Sequence, residues 1–144
     1  MRMKIVTLLS LLLLSTEVTF AHGTNKHGPN GGYIKMPGPF HTELVDKGVN
    51  MHVYLLDMNF KNPTTADSTV KIKYKGNVES EYSCTRSIEY FVCEKPKGGL
   101  KFVKEVIVNA IRNNSKGREA VYSLPLKLDG GMKMTTTFLE NNSN

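Results

Sequence analysis

Phe40-His41-Thr42-Glu43-Leu44-Val45-Asp46-Lys47-Gly48-Val49-Asn50-Met51-His52-Val53-Tyr54-Leu55-Leu56-Asp57 is the stretch that decides the fold. Residues 40–45 and 51–57 are two runs of strand length, rich in β-branched and aromatic side chains, and Asp46-Lys47-Gly48 between them carries turn chemistry. Side chains alternate across a strand, so Phe40, Thr42 and Leu44 project from one face and His41 and Glu43 from the other. The same pattern repeats outward. Residues 69–74, 79–84, 88–94, 100–111, 120–128 and 132–139 read as further strands, separated by turn-forming groups such as Asn62-Pro63-Thr64, Lys75-Gly76-Asn77, Pro96-Lys97-Gly98-Gly99 and Asp129-Gly130-Gly131. Residues 102–113 have the length of a helix, but Val103, Val106, Ile107, Val108 and Ile111 are β-branched, which favours strand. The expected fold is all-β: a small antiparallel β-sandwich, Ig-like or related, of about eight strands.

The other end of the chain sets the compartment. Arg2 and Lys4 form a short basic region, residues 5–14 an apolar run interrupted only by Thr7 and Ser10, and Thr19-Phe20-Ala21 a small-x-small cleavage signal. Residues 1–21 therefore read as a secretory signal, with His22 as the first residue of the product. The apolar run is shorter than the roughly 20 residues that span a bilayer. No later segment is long and apolar enough to do so, so the expected product is a periplasmic or secreted protein without membrane insertion. Residues 22–39 form a Gly/Pro/His-rich lead-in, 40–140 the sandwich domain and 141–144 a tail. The 123 residues from 22 to 144 suffice for one core and not two. Removing Arg2, Lys4 and Glu17 takes the formal net charge from +6 to +5, and the remaining lysines are scattered. That favours solubility and weak attraction to anionic surfaces, not nucleic-acid binding. Cys84 and Cys93 are the only cysteines, and in an oxidising compartment they are expected to pair, stapling a hairpin of residues 79–84 and 88–94.

Chemistry concentrates in the lead-in. Three of the four histidines, His22, His27 and His41, fall near the start of the product, among Gly28, Pro29, Gly31, Gly32, Pro37, Gly38 and Pro39. Loop imidazoles, a strand imidazole and the Glu43 carboxylate make a first shell suited to copper or zinc. Cleavage after Ala21 would also give His22 a free α-amino group, and amine plus imidazole can chelate one Cu(II), with His27 or His41 completing a nitrogen-rich set. This arrangement resembles the N-terminal chelation of exported copper-resistance β-sandwiches and of oxidative polysaccharide-cleaving enzymes. His52 alternates with Tyr54 and Leu56 and reads as partly buried structure. Met36, Met51, Met58, Met132 and Met134 offer thioethers to Cu(I) but read first as core fillers.

The segment His27-Gly28-Pro29-Asn30-Gly31-Gly32, followed by Gly38-Pro39-Phe40-His41-Thr42-Glu43-Leu44 and Val53-Tyr54-Leu55-Leu56-Asp57, resembles the His-Gly-Gly…His-x-Glu-Leu module of small exported bacterial proteins. A similar module occurs at the N-terminus of some heavy-metal efflux adaptor proteins. The resemblance spans residues 27–57 and implies a small β domain in periplasmic metal handling, with His27, His41 and Glu43 at the matching positions. It brings in a periplasmic efflux component as a partner, although the chain has no helical hairpin or barrel of an adaptor. Catalytic signatures are missing: there is no Gly-x-Ser-x-Gly elbow, no His-Glu-x-x-His and no phosphate-cradling glycine loop. The expectation is a non-enzymatic metal-binding protein. A structural or protein-interaction sandwich without metal is the alternative. A copper-dependent oxidase, with Tyr33 as a nearby aromatic ligand, is the third reading.

Overall fold

The computed structural model describes residues 26–128; the expected secretory signal 1–21, His22, the expected strand 132–139 and the expected tail 141–144 lie outside the described residues. Ten strands follow in order: β1 Tyr33–Lys35, β2 His41–Asp46, β3 Asn50–Leu56, β4 Thr69–Gly76, β5 Ser80–Ser83, β6 Thr85–Arg86, β7 Phe91–Glu94, β8 Val103–Arg112, β9 Ser115–Lys116 and β10 Ala120–Ser123. They form two antiparallel five-stranded sheets. The first has the order β1-β2-β3-β7-β6; the second has the order β10-β8-β4-β5, with β9 folding back on β8. The protein is an all-β sandwich, as its alternating runs predict. Among the described residues no helix is long and apolar enough to cross a membrane.

Local chemistry explains the elements. In the β2–β3 turn, Gly48 adopts φ +82° and its N–H donates to Asp46 Oδ1 at 2.7 Å, an Asx turn that a side chain at Gly48 would strain. Residues 103–112 are strand, as their β-branched side chains favour. The β8–β9 turn places both Asn113 and Asn114 at positive φ, the geometry of a tight hairpin in which Asn is tolerated. β10 stops at Ser123, short of the expected 128, because Pro125 has no N–H to give a ladder.

Three expectations need correction. The lead-in contains strand β1, which pairs with β2 through Tyr33↔Leu44 and Lys35↔Thr42, so the sandwich begins before residue 40. The linker Thr85-Arg86-Ser87 contains strand β6. Residues 79–84 and 88–94 do not pair with each other: β5 pairs with β4 in the second sheet, and β7 lies in the first. Cys84 sits where the chain crosses between the sheets. Its N–H donates to Val70 O of β4 at 2.9 Å, while its sulfur bonds Cys93 of β7. The disulfide is therefore present as expected, but it ties the sheet crossing and the small β6–β7 hairpin.

The core fills the space between the sheets. Phe40, Leu44, Met51, Val53, Leu55 and Phe91 of the first sheet meet Val70, Ile72, Tyr74, Val106, Val108 and Tyr122 of the second. Polar ties join the sheets as well. Tyr122 Oη donates to Thr42 O at 3.0 Å and lies 2.7 Å from Thr42 Oγ1, Tyr74 Oη donates to Glu94 O at 2.8 Å, and Arg112 Nε donates to Leu55 O at 3.2 Å. Each satisfies a polar atom that burial would otherwise leave costly.

Candidate functional site

β2 is buried on both faces, which its alternation does not predict. Phe40, Thr42 and Leu44 face the core, while His41, Glu43 and Val45 on the other face are covered as well. Two loops provide the cover, and each is organised by a carboxylate.

The first is the glycine-rich loop 28–32. Glu43 is fully buried, and its Oε1 accepts from Asn30 N at 2.9 Å and Gly32 N at 2.8 Å, while Oε2 accepts from Asn30 Nδ2 at 2.9 Å. The loop closes on itself through Gly31 N to Gly28 O and Gly28 N to Gly32 O, both 2.9 Å. Its glycines are required by proximity. A Cβ on Gly28 would lie 2.5 Å from Glu43 Cδ, and one on Gly32 2.5 Å from Leu44 O. The spacing of glycines and Glu43 in the sequence is thus the signature of a backbone laid directly on a carboxylate. Asn30, the partner that supplies two of the three donors, is the residue that reading the sequence for ligands overlooks; an Asn amid glycines, ahead of an apolar strand with a lone acid, was the available signal.

His27, exposed at the start of this loop, has Nδ1 3.3 Å from Gly32 O and its ring edge-on to Tyr33 at 5.1 Å. A carbonyl only accepts, so Nδ1 is the donor, which leaves Nε2 as the nitrogen that can offer a lone pair to a metal.

The second loop, 57–62, covers His41. Asp57 Oδ1 accepts from Asn59 N at 2.8 Å and Lys61 N at 2.9 Å, and Oδ2 from Asn62 Nδ2 at 2.6 Å. The Lys61 amide foremost, with Asn62 and Asn59, holds the Asp57 carboxyl below its ordinary pKa against the opposing effect of desolvation. These bonds fix Phe60 at φ 60°, uncommon for a bulky residue, and so stack its ring on His41 with centroids 4.2 Å apart. His41 Nδ1 donates to Asp57 O at 3.0 Å. Both anchored imidazoles therefore share one tautomer.

His41 and Glu43 share a strand face, as expected, but the full set does not converge. His27 is anchored beside Tyr33, opposite Leu44, three residues along β2 from His41, or about 10 Å at strand rise. Among the described residues no group of three His, Cys, Asp or Glu side chains gathers to hold a metal ion. Glu43 is engaged with Asn30 and Gly32, and His22 lies outside the described residues. His52 is half-buried structure, as expected. It stacks on Tyr90 with centroids 4.4 Å apart, its Nδ1 is buried without a hydrogen-bond partner, and burial, with Lys47 nearby, lowers its pKa. Of the methionines, Met51 fills the core, whereas Met36 and Met58 are exposed; Met132 and Met134 lie outside the described residues.

These features define a disulfide-bonded β-sandwich whose N-terminal loop is latched by a buried glutamate. No protein-family model, curated protein or solved structure matches the chain.

Proposed function

We propose that the chain is an exported, non-enzymatic β-sandwich that binds a divalent transition metal, copper or zinc, at its histidine-bearing N-terminal end, in metal homeostasis or resistance. One observation carries the reading: Glu43, a fully buried carboxylate, orders the loop that follows His27, and the Gly32 carbonyl fixes the His27 ring so that Nε2 is its ligand nitrogen. A metal-bound histidine usually donates its other ring N–H to a backbone carbonyl or a carboxylate, as His27 does to Gly32 O. In this reading Glu43 positions the loop, and the His22 amine and imidazole join His27 in a nitrogen-rich set that suits Cu(II). His41 has the same anchoring and is the reserve ligand. A periplasmic efflux component is the implied partner.

The test is the thermal midpoint of the protein beginning at His22, with and without Cu(II) or Zn(II), against the same protein carrying one extra N-terminal alanine. A metal that binds only the folded state at a hundredfold its dissociation constant stabilises by about 2.7 kcal/mol. A rise that the alanine abolishes supports the amine chelate. A rise that survives it assigns the site to His27 or to His41 without the amine. No rise with either metal overturns metal binding in favour of the second reading, an interaction sandwich without metal. That second reading is favoured by the dispersal of the ligand candidates among the described residues.

A further inference from the structure

The antiparallel registers put five segments at one end of the sandwich: the lead-in 26–32 before β1, the β2–β3 turn 47–49, the β4–β5 turn 77–79, the β7–β8 connection 95–102 and the segment 124–128 after β10. They are knit together. Lys95 Nζ bonds Asp46 Oδ1 and Gly48 O, each at 2.6 Å, Asn77 N donates to Phe102 O at 3.2 Å, and Leu124 N to Lys104 O at 2.8 Å. Three large apolar side chains stand in solvent on this end: Val49 at 83% exposure, Val78 at 79% and Phe102 at 61%. Val78 and Phe102 line a common groove of about 460 Å³ with Pro96 and Lys97.

The charge around them is mostly positive. These five segments carry Lys26, Lys47, Lys95, Lys97, Lys101 and Lys127 against Glu79, with Asp46 and Glu94 at the adjoining strand ends. Glu79 is paired with Lys73 at 3.2 Å, and Lys95 with Asp46, whose carboxyl burial raises but Lys95 and the Gly48 amide bring below its ordinary pKa. No ion pair among the described residues engages Lys47, Lys97, Lys101 or Lys127. Apolar side chains protruding from separate loops do not form a flat patch for a rigid partner. They suit a fluid surface that takes up each point individually, with cations at headgroup level.

We propose that this end docks the protein on an anionic lipid bilayer, with Val49, Val78 and Phe102 entering the interface and Lys47, Lys97 and Lys101 meeting the headgroups. The loop that bears His27 opens at the same end, but no metal ligand takes part in the docking, and the test is run with a chelator so that metal does not contribute.

The test is co-sedimentation of the chain beginning at His22, so that the apolar run 5–14 does not contribute, with vesicles of phosphatidylglycerol and phosphatidylcholine in equal parts or of phosphatidylcholine alone. Binding is expected on the anionic vesicles only, weakened by salt. The V78S/F102S variant should partition about tenfold or more less well, and K97Q and K101Q about fivefold less each. Ile88, 89% exposed in the β6–β7 turn at the opposite end, is the control: I88S should bind like the parent. Because every substituted side chain is exposed, the variants should keep the parent's circular dichroism and melting midpoint. Failure to sediment with anionic vesicles overturns the proposal, as does an equal loss in I88S. So does undiminished binding of V78S/F102S, which would leave only the diffuse attraction of a basic protein to any polyanion.

Discussion

At the scale of single residues, the structure shows what holds the histidine-rich segment in place. Glu43 was legible as a special residue because an acid at that strand position, two from a histidine, invites a ligand reading. Its partners were not legible, because a hydrogen bond to the Asn30 and Gly32 amides depends on how the loop folds back across β1, which spacing alone does not encode. The latch makes a prediction at this scale. In Glu43→Met no acceptor oxygen remains, so the buried Gly32 N–H and the Asn30 N–H lose their partner; the expected cost is about 1–3 kcal/mol, read as a lower urea midpoint, with faster amide exchange at Asn30 and Gly32. Unchanged exchange at those amides would mean that the loop holds itself. His52 makes a second. Burial disfavours its charged form, so its pKa in the folded protein lies below 6.5 while the unfolded chain keeps the ordinary value. As pH falls through about 6.5 the unfolded state takes up the proton first. The stabilisation is thus complete above that pH and is lost as pH falls toward the folded pKa. Replacing His52 with Phe keeps a ring on Tyr90 and should flatten the fall in urea midpoint between pH 7 and pH 5; parallel curves for parent and variant would remove His52 as the source.

At the scale of elements, the long strands were legible and the short ones were not. β2, β3, β4 and β8 announce themselves by alternation and β-branched content, since each buries a face along its length. β1, β6 and β9 have two or three residues, too few for a period to register, and they exist because a neighbouring strand offers an edge. The pairing of β5 was open to a closer reading. Lys71 and Lys73 face Glu81 and Glu79 across the β4–β5 turn, with Lys73 Nζ 3.2 Å from Glu79 Oε1, so opposite charges in alternation marked that hairpin. Two cysteines nine residues apart suggested a different hairpin. The end of β4 carries its own prediction. The register shifts between Lys75 and Gly76, and the Phe102 carbonyl occupies the place where a Gly76 side chain would begin. Gly76→Ala must therefore move the β7–β8 connection, an overpacking expected to cost about 1–3 kcal/mol in denaturant unfolding. A midpoint matching the parent would show that the connection yields freely.

At the scale of the whole molecule, two sheets of five strands share one core, and the polar ties from Tyr122, Tyr74 and Arg112 are distributed along it rather than gathered at one end. The disulfide adds a covalent tie at the crossing from β5 to β6, one of three places where the described chain passes between the sheets. Its loop is short, with a sequence separation of 9, so the entropy it removes from the unfolded chain corresponds to about 2–3 kcal/mol. If the common core makes the sheets one cooperative unit, Cys84→Ser/Cys93→Ser should lower the unfolding free energy by that amount, with a lower denaturant midpoint, without dividing the transition. The measurement needs two probes that see different things. Far-ultraviolet circular dichroism follows both sheets together, while tyrosine fluorescence is weighted to the six tyrosines, of which Tyr74 and Tyr122 are buried between them. Coincident curves in parent and variant place the cooperativity in the core and make the disulfide an increment to it. Curves that separate only in the variant would mean that the crossing, not the shared core, holds the first sheet to the second.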